Sequence, residues 1–127
     1  GKQKLKVYEN ALKYAIESLN FKKLYEVKIR VTVPNDIKEL YITGNQQSLG
    51  KWNPKRVLLQ KVTDKVWEIT LQINKPAEFK FTLGNWEKEA IIEGIEEVNG
   101  ELPNIQIEVD ETALFEYVIK SWENRKE

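Results

Sequence analysis

The 127-residue sequence contains no histidine, no cysteine and no methionine. Without histidine and cysteine, it has no thiolate nucleophile, no disulfide and no zinc site of the usual nitrogen and sulfur type. It also lacks the side chain most often used as a general base near neutral pH. Serine occurs only at Ser18, Ser48 and Ser121, so an ordinary Ser-His-Asp triad is excluded. The sequence therefore predicts no metal site and no cofactor.

Long apolar runs and a charge surplus are also missing. No stretch approaches the roughly 18 consecutive apolar residues that a membrane span needs. The formal net charge is zero, whereas a nucleic-acid-binding protein usually carries a coherent basic surplus. We therefore expect neither a membrane nor a nucleic acid as partner. Because the chain begins with Gly1 and lacks methionine, we expect a processed protein or a piece of a longer one, and leave open whether it is secreted or periplasmic.

An amphipathic pattern marks the N-terminal part of the chain. Between Lys4 and Asn20, apolar residues recur at steps of three and four, which is typical of one helix face. Asn20 is a plausible end of that helix. We therefore divide the chain into an N-terminal helix and junction at residues 1–22 and a second unit at residues 23–127.

From Tyr25 onward the apolar period changes to two, as in half-buried β-strands. Seven short strands are predicted, with turn signals between them and no intervening helix. They are residues 25–33, 40–43, 57–61, 67–73, 79–83, 105–109 and 113–122. This pattern favours an all-β fold, a two-sheet antiparallel sandwich. The stretch 85–104 is long, rich in glutamate and punctuated by glycine, so it is predicted to be a loop of the functional kind.

Paired carboxylates in this loop could in principle act as in a glycosidase. Runs of charge are more often simply solvated, and the loop lacks the ligand spacing of an EF-hand calcium site. An enzyme that uses Glu87 and Glu101 is therefore a distant third hypothesis, and we expect no catalytic residues.

Tryptophans give the more informative signal. Trp52 lies in Leu49-Gly50-Lys51-Trp52-Asn53-Pro54, and Trp86 follows Gly84-Asn85 just past a strand end. Neither belongs to an alternating apolar run, so each is either a plug at the end of the sandwich or a flat platform for the C–H face of a sugar ring. Trp67 is in phase with Ile69 and Ile73, which favours the core.

Together these segments resemble starch-binding domains of the carbohydrate-binding module type. The resemblance rests on motifs in a fixed order between Glu26 and Trp122. They are Tyr41-Ile42-Thr43-Gly44-Asn45, Leu49-Gly50-Lys51-Trp52-Asn53-Pro54, Trp67, Phe79-Lys80-Phe81, Trp86-Glu87, Pro103-Asn104 and Trp122. The segment from Phe79 to Glu87 is closer still to a subgroup found N-terminal to esterase-type hydrolases and other exported enzymes.

The resemblance implies an immunoglobulin-like sandwich that binds a starch-like glucan and catalyses nothing. It implies stacking on Trp52 and Trp86, a hydrogen bond from Lys80, and further bonds from Glu87 and Asn104. A second site of the family would use Trp67. The partners implied are a polysaccharide or oligosaccharide and an attached catalytic domain. We expect Trp52 and Trp86 to share one shallow patch with Lys80 between them, and Trp67 to be more buried than either.

An alternative of a different class remains. The sandwich could be a protein-interaction or spacer module that has lost sugar binding. Ile105 stands where the family carries an arginine after the asparagine, and the 87–101 stretch is strongly acidic.

Overall fold

The alternating segments form nine strands in the computed structural model, which describes residues 23–124. Two short 3₁₀ segments, Gln47–Trp52 and Trp86–Lys88, follow β2 and β6. The strands are β1 (Tyr25–Thr32), β2 (Tyr41–Gly44), β3 (Val57–Leu58), β4 (Gln60–Lys61), β5 (Val66–Ile73), β6 (Ala77–Thr82), β7 (Ala90–Ile92), β8 (Ile105–Ile107) and β9 (Ala113–Trp122). The predicted N-terminal helix, Lys4–Asn20, lies outside the described residues.

The strands form two sheets that share one core. The five-stranded sheet has the order β4-β5-β1-β9-β7, and the four-stranded sheet has the order β3-β2-β6-β8. Val27, Ile29 and Val31 of β1 are fully buried, as the alternation predicts, and they share a core with Phe79 and Phe81 of β6. The predicted two-sheet β-sandwich is thereby confirmed. Among the described residues, no helix is long and apolar enough to cross a membrane.

Aromatic side chains join the two sheets at the centre of this core. The Tyr117 ring of β9 lies 5.8 Å from the Phe79 ring and 5.9 Å from the Phe81 ring, measured between centroids. Burial raises the pKa of the Tyr117 hydroxyl to about 12. Edge-to-face and tilted ring pairs add to the gain from area burial, so these contacts help to hold β6 against β9.

The last strand corrects the prediction of a purely antiparallel sandwich. β9 runs parallel to β1, with Val27 opposite Ala113 and Val31 opposite Tyr117. Parallel pairing needs a long crossover between the two strands, and residues 33–112 supply one. Local sequence pattern does not encode this choice.

The predicted strand at residues 57–61 is in fact two short strands in different sheets. β3 pairs with β2, whereas β4 pairs with β5. Leu59, between them, is buried, and its N–H donates to the Leu40 carbonyl at 2.8 Å. The chain therefore crosses from one sheet to the other at Leu59, which keeps the apolar side chain in the core.

The predicted loop at residues 85–104 contains a strand that the sequence analysis missed. β7 pairs with β9, with Ala90 opposite Trp122 and Ile92 opposite Ile119, and the register shifts between Ile91 and Ile92. Ala90 and Ile92 are buried. Three residues are too few to show a period among so many glutamates, and only residues 93–104 remain as a long loop.

Candidate functional site: an aromatic platform

Trp52 is held by the segment that follows β2. Asn45 Nδ2 donates to the Pro76 carbonyl at 3.0 Å, and Gln46 Nε2 donates to the Asn74 carbonyl at 3.0 Å. The Glu78 N–H donates in turn to Asn45 Oδ1 at 3.1 Å. These bonds fix the start of the Gln47–Trp52 segment to the turn between β5 and β6.

Gly44 lets this segment approach the neighbouring strand closely. A Cβ added at Gly44 would lie 2.3 Å from the Glu78 carbonyl oxygen and 2.8 Å from a Leu49 methyl group. No side chain fits there without movement of the backbone, so we expect glycine to be required.

We predict that Gly44→Ala lowers the free energy of unfolding by about 2 kcal/mol, the usual scale for overpacking a tight site. Urea denaturation monitored by tryptophan fluorescence measures it. Gly94→Ala is the control, because a Cβ at Gly94 has nothing within 4 Å and its cost comes only from its positive φ. If Gly44→Ala proved no more destabilising than Gly94→Ala, the close approach at Gly44 would be wrong.

The backbone that presents Trp52 is left-handed. Gly50, Lys51 and Trp52 have φ values of 75°, 49° and 64°. For residues with a side chain this conformation costs about 1–2 kcal/mol each, and such outliers persist only where the surroundings enforce them. The Asn53 N–H closes the turn by donating to the Gly50 carbonyl at 3.0 Å. The backbone conformation thereby fixes the position of the Trp52 indole, which is half-buried.

Trp86 opens the second 3₁₀ segment, just after β6. Asn85 Oδ1 accepts a hydrogen bond from the Lys88 N–H at 3.1 Å, which caps the turn. The Trp86 side chain is 39% exposed. Its ring centroid lies 6.4 Å from that of Trp52, and the two ring planes differ by 40°. The expected pairing of two partly exposed rings is confirmed, and we call this surface the Trp52–Trp86 platform.

Lys80 does not stand as an exposed donor between the two rings. Its ammonium forms an ion pair with Glu89 Oε1 and donates to the Leu102 carbonyl at 2.9 Å. The Lys80 side chain is 17% exposed and that of Glu89 is 2% exposed. The expectation of a free lysine on the platform is therefore corrected. Lys80 does point away from the shared core, but Glu89 and the loop that ends at Leu102 cover it.

Glu89 was missed because it is one of many glutamates in residues 87–101. One available signal was its position directly before the apolar Ala90-Ile91-Ile92. A carboxylate next to a buried strand needs a cation, and Lys80 is that cation.

Glu87 and Asn104 are both exposed. Glu87 follows Trp86 within the capped turn, which places it beside the platform. Asn104 directly precedes β8, whose Ile105 pairs with Phe79, the residue before Lys80. Both can offer polar groups to a ligand from the surface.

Trp67 is confirmed as more buried than the platform tryptophans. It is 3% exposed, and Lys61 Nζ lies 5.9 Å from its ring centroid. A ring at this depth presents no face to a sugar, so the structure gives no support to a second site at Trp67. Among residues 23–124, no group of three or more acidic side chains is arranged to hold a metal ion.

Two angled indoles at the surface of a β-sandwich are suited to contact the apolar C–H face of a sugar ring. The comparison with known families is more specific. The family model for the starch-binding domain matches residues 25–104, and the chain belongs to that family. It is accordingly a non-catalytic module that binds starch-like glucans.

Solved structures resemble this chain at low sequence identity. The glucoamylase of Hormoconis resinae is 13% identical, with a TM-score of 0.51, over 83% of this chain and 18% of that chain. The family 20 carbohydrate-binding module of the maltotetraose-forming amylase from Pseudomonas saccharophila is 18% identical, with a TM-score of 0.44, over 71% of this chain and 99% of that one. This chain thus spans about a fifth of the glucoamylase. None of the curated proteins matches it.

Proposed function

We propose that the Trp52–Trp86 platform is the surface on which this starch-binding module holds its glucan. The observation that carries the proposal is the pairing of two partly exposed indoles at 6.4 Å and 40°. An indole covers the apolar C–H face of a glucose ring and excludes water from it. Because the two planes are tilted, they suit consecutive units of a curved chain, such as an α-linked glucan, better than a flat one.

Binding is expected to be weak. One or two stacked sugars must offset the loss of translational and rotational freedom, and the platform is a shallow surface. The left-handed backbone at Trp52 reduces the cost, since a ring that is already positioned loses little freedom on binding.

Titration with maltoheptaose, followed by tryptophan fluorescence and by calorimetry, tests this proposal. We expect a saturable response at millimolar sugar and a much smaller one with cellohexaose, a flat β-linked glucan. The absence of any response to maltoheptaose at that concentration would count against the platform as a sugar site.

Polar groups beside the rings are proposed to bind sugar hydroxyls. We predict that Glu87→Ala and Asn104→Ala each weaken maltoheptaose binding about fivefold, since one hydrogen bond contributes about 1 kcal/mol. Glu111→Ala is the control, because it removes the same charge from another exposed position. If Glu87→Ala and Glu111→Ala changed the affinity for maltoheptaose equally, the effect would come from the net charge of the protein and not from a hydrogen bond between Glu87 and the sugar.

We further propose that the module belongs to a larger exported enzyme and that residues 23–127 form the sandwich unit of that protein. The family membership and the absence of histidine and cysteine support a binding role beside a separate catalytic domain. The Phe79–Glu87 motif supports the subgroup that lies N-terminal to esterase-type hydrolases and has an immunoglobulin-like fold.

A further inference from the structure

A cleft of about 360 Å³ lies beside the platform and has no role in the function proposed so far. Its lining includes Lys38 and Glu39 from the segment before β2, Lys55 from the loop after Trp52, and Gly84 and Asn85 from the turn after β6. The chain that builds the platform therefore builds the cleft as well.

Three short connections fix the cleft next to the two rings. Asn85 directly precedes Trp86. The Lys55 N–H donates at 3.0 Å to Oδ1 of Asn53, which is the residue after Trp52. Thr82 Oγ1, at the end of β6, donates to the Pro54 carbonyl at 2.7 Å. A glucan that lies on both indoles can thus place a neighbouring unit over the cleft.

The lining of the cleft contains two lysines and one glutamate. Lys75 and Lys80 are held in ion pairs, but Lys38 and Lys55 make no ion pair within residues 23–124 and are exposed. The one carboxylate of the lining, Glu39, accepts a hydrogen bond from the Tyr41 hydroxyl.

That bond raises the pKa of Tyr41 and directs the Glu39 carboxylate toward the hydroxyl. Glu39 keeps its negative charge in this bond, so the lining of two lysines and one glutamate has a net charge of +1. The side-chain amide of Asn85 adds N–H donors.

We propose that this cleft binds a phosphate monoester carried by the glucan, while adjacent glucose units stack on the Trp52–Trp86 platform. The inference rests on the proposed function of the platform and names its ligand more closely. A phosphate monoester carries about −1.5 to −2 charges and three acceptor oxygens at neutral pH. It matches two lysines and an amide better than a neutral hydroxyl or a single carboxylate does, and lysine binds phosphate as a point charge.

The test compares maltoheptaose with maltoheptaose that carries one 6-phosphate, by calorimetry at low salt. We expect the phosphorylated sugar to bind about fivefold more tightly, from two partly exposed charge contacts. In Lys38→Gln/Lys55→Gln, the two sugars should bind equally, and the affinity for the neutral sugar should be unchanged. Lys28→Gln/Lys120→Gln removes the same charge from β1 and β9, whose exposed side chains belong to the other sheet, and should keep the preference.

Three results would overturn the inference. The wild type could bind both sugars with equal affinity, the Lys28/Lys120 control could lose the preference as fully as the cleft variant, or the cleft variant could keep it. Failure of the proposed platform function gives a different result. In that case maltoheptaose without phosphate would not bind the wild type either.

Discussion

Trp86→Ala is expected to weaken the binding of maltoheptaose by about 10- to 100-fold, which corresponds to about 1.4–2.7 kcal/mol. Stacking of a nucleic-acid base on an aromatic side chain contributes about 1–3 kcal/mol, and we expect a glucose ring on an indole to contribute on the same scale. Trp86 is 39% exposed and is not part of the core, so its removal should affect the surface more than the fold. Calorimetric titration of the wild type and the variant measures the effect.

Two controls separate loss of the ring from loss of structure. Trp86→Phe keeps an aromatic face and should retain most of the affinity. Trp122→Phe removes a different indole, whose Nε1 donates to Asn35 Oδ1 at 3.0 Å, and should leave binding nearly unchanged. If Trp86→Ala bound maltoheptaose as well as the wild type, with an unchanged unfolding transition, Trp86 would not be part of the sugar site.

The second large effect concerns stability. Lys80→Met should lower the free energy of unfolding by about 3 kcal/mol, because removal of one partner of a buried ion pair is strongly destabilising. The remaining Glu89 carboxylate is only 2% exposed, so water cannot replace the ammonium. Equilibrium denaturation in urea gives the difference.

Two further variants make this expectation specific. Lys80→Met/Glu89→Leu should recover much of the loss, since a buried ion pair is often replaceable by apolar residues. Lys75→Met breaks the exposed pair with Asp110, in which the two side chains are 46% and 67% exposed, and should cost less than about 1 kcal/mol. Equal losses for Lys80→Met and Lys75→Met would contradict the burial of the Lys80–Glu89 pair.

The long strands could be predicted from sequence because their period is unambiguous. β1, β5 and β9 have eight to ten residues each, enough to show alternation. The turn of the chain at Leu59 and the three-residue β7 have no such signal. The parallel pairing of β1 with β9 depends on partners almost ninety residues apart along the chain, which no local pattern reports.

The candidate site could also be predicted from the sequence only in part. Trp52 and Trp86 could be selected because each stands alone among polar, turn-forming neighbours. The proximity of the two rings followed from family resemblance and not from spacing. Lys80 was assigned to the wrong surroundings, because alternation shows which face of a strand a side chain occupies but not what covers that face. Lys38 and Lys55 gave no motif at all, since only the folded turns bring them together.

The parallel alignment of β1 and β9 also decides where other domains can be joined. The chain enters β1 at Tyr25 and leaves β9 at Trp122, at opposite ends of the same sheet, about 30 Å apart for a ten-residue strand. The exit is close to the platform, since Lys88 Nζ contacts Asn124 Oδ1 at 2.6 Å. A domain joined after Asn124 would therefore start nearer to the platform than a domain joined ahead of Lys23.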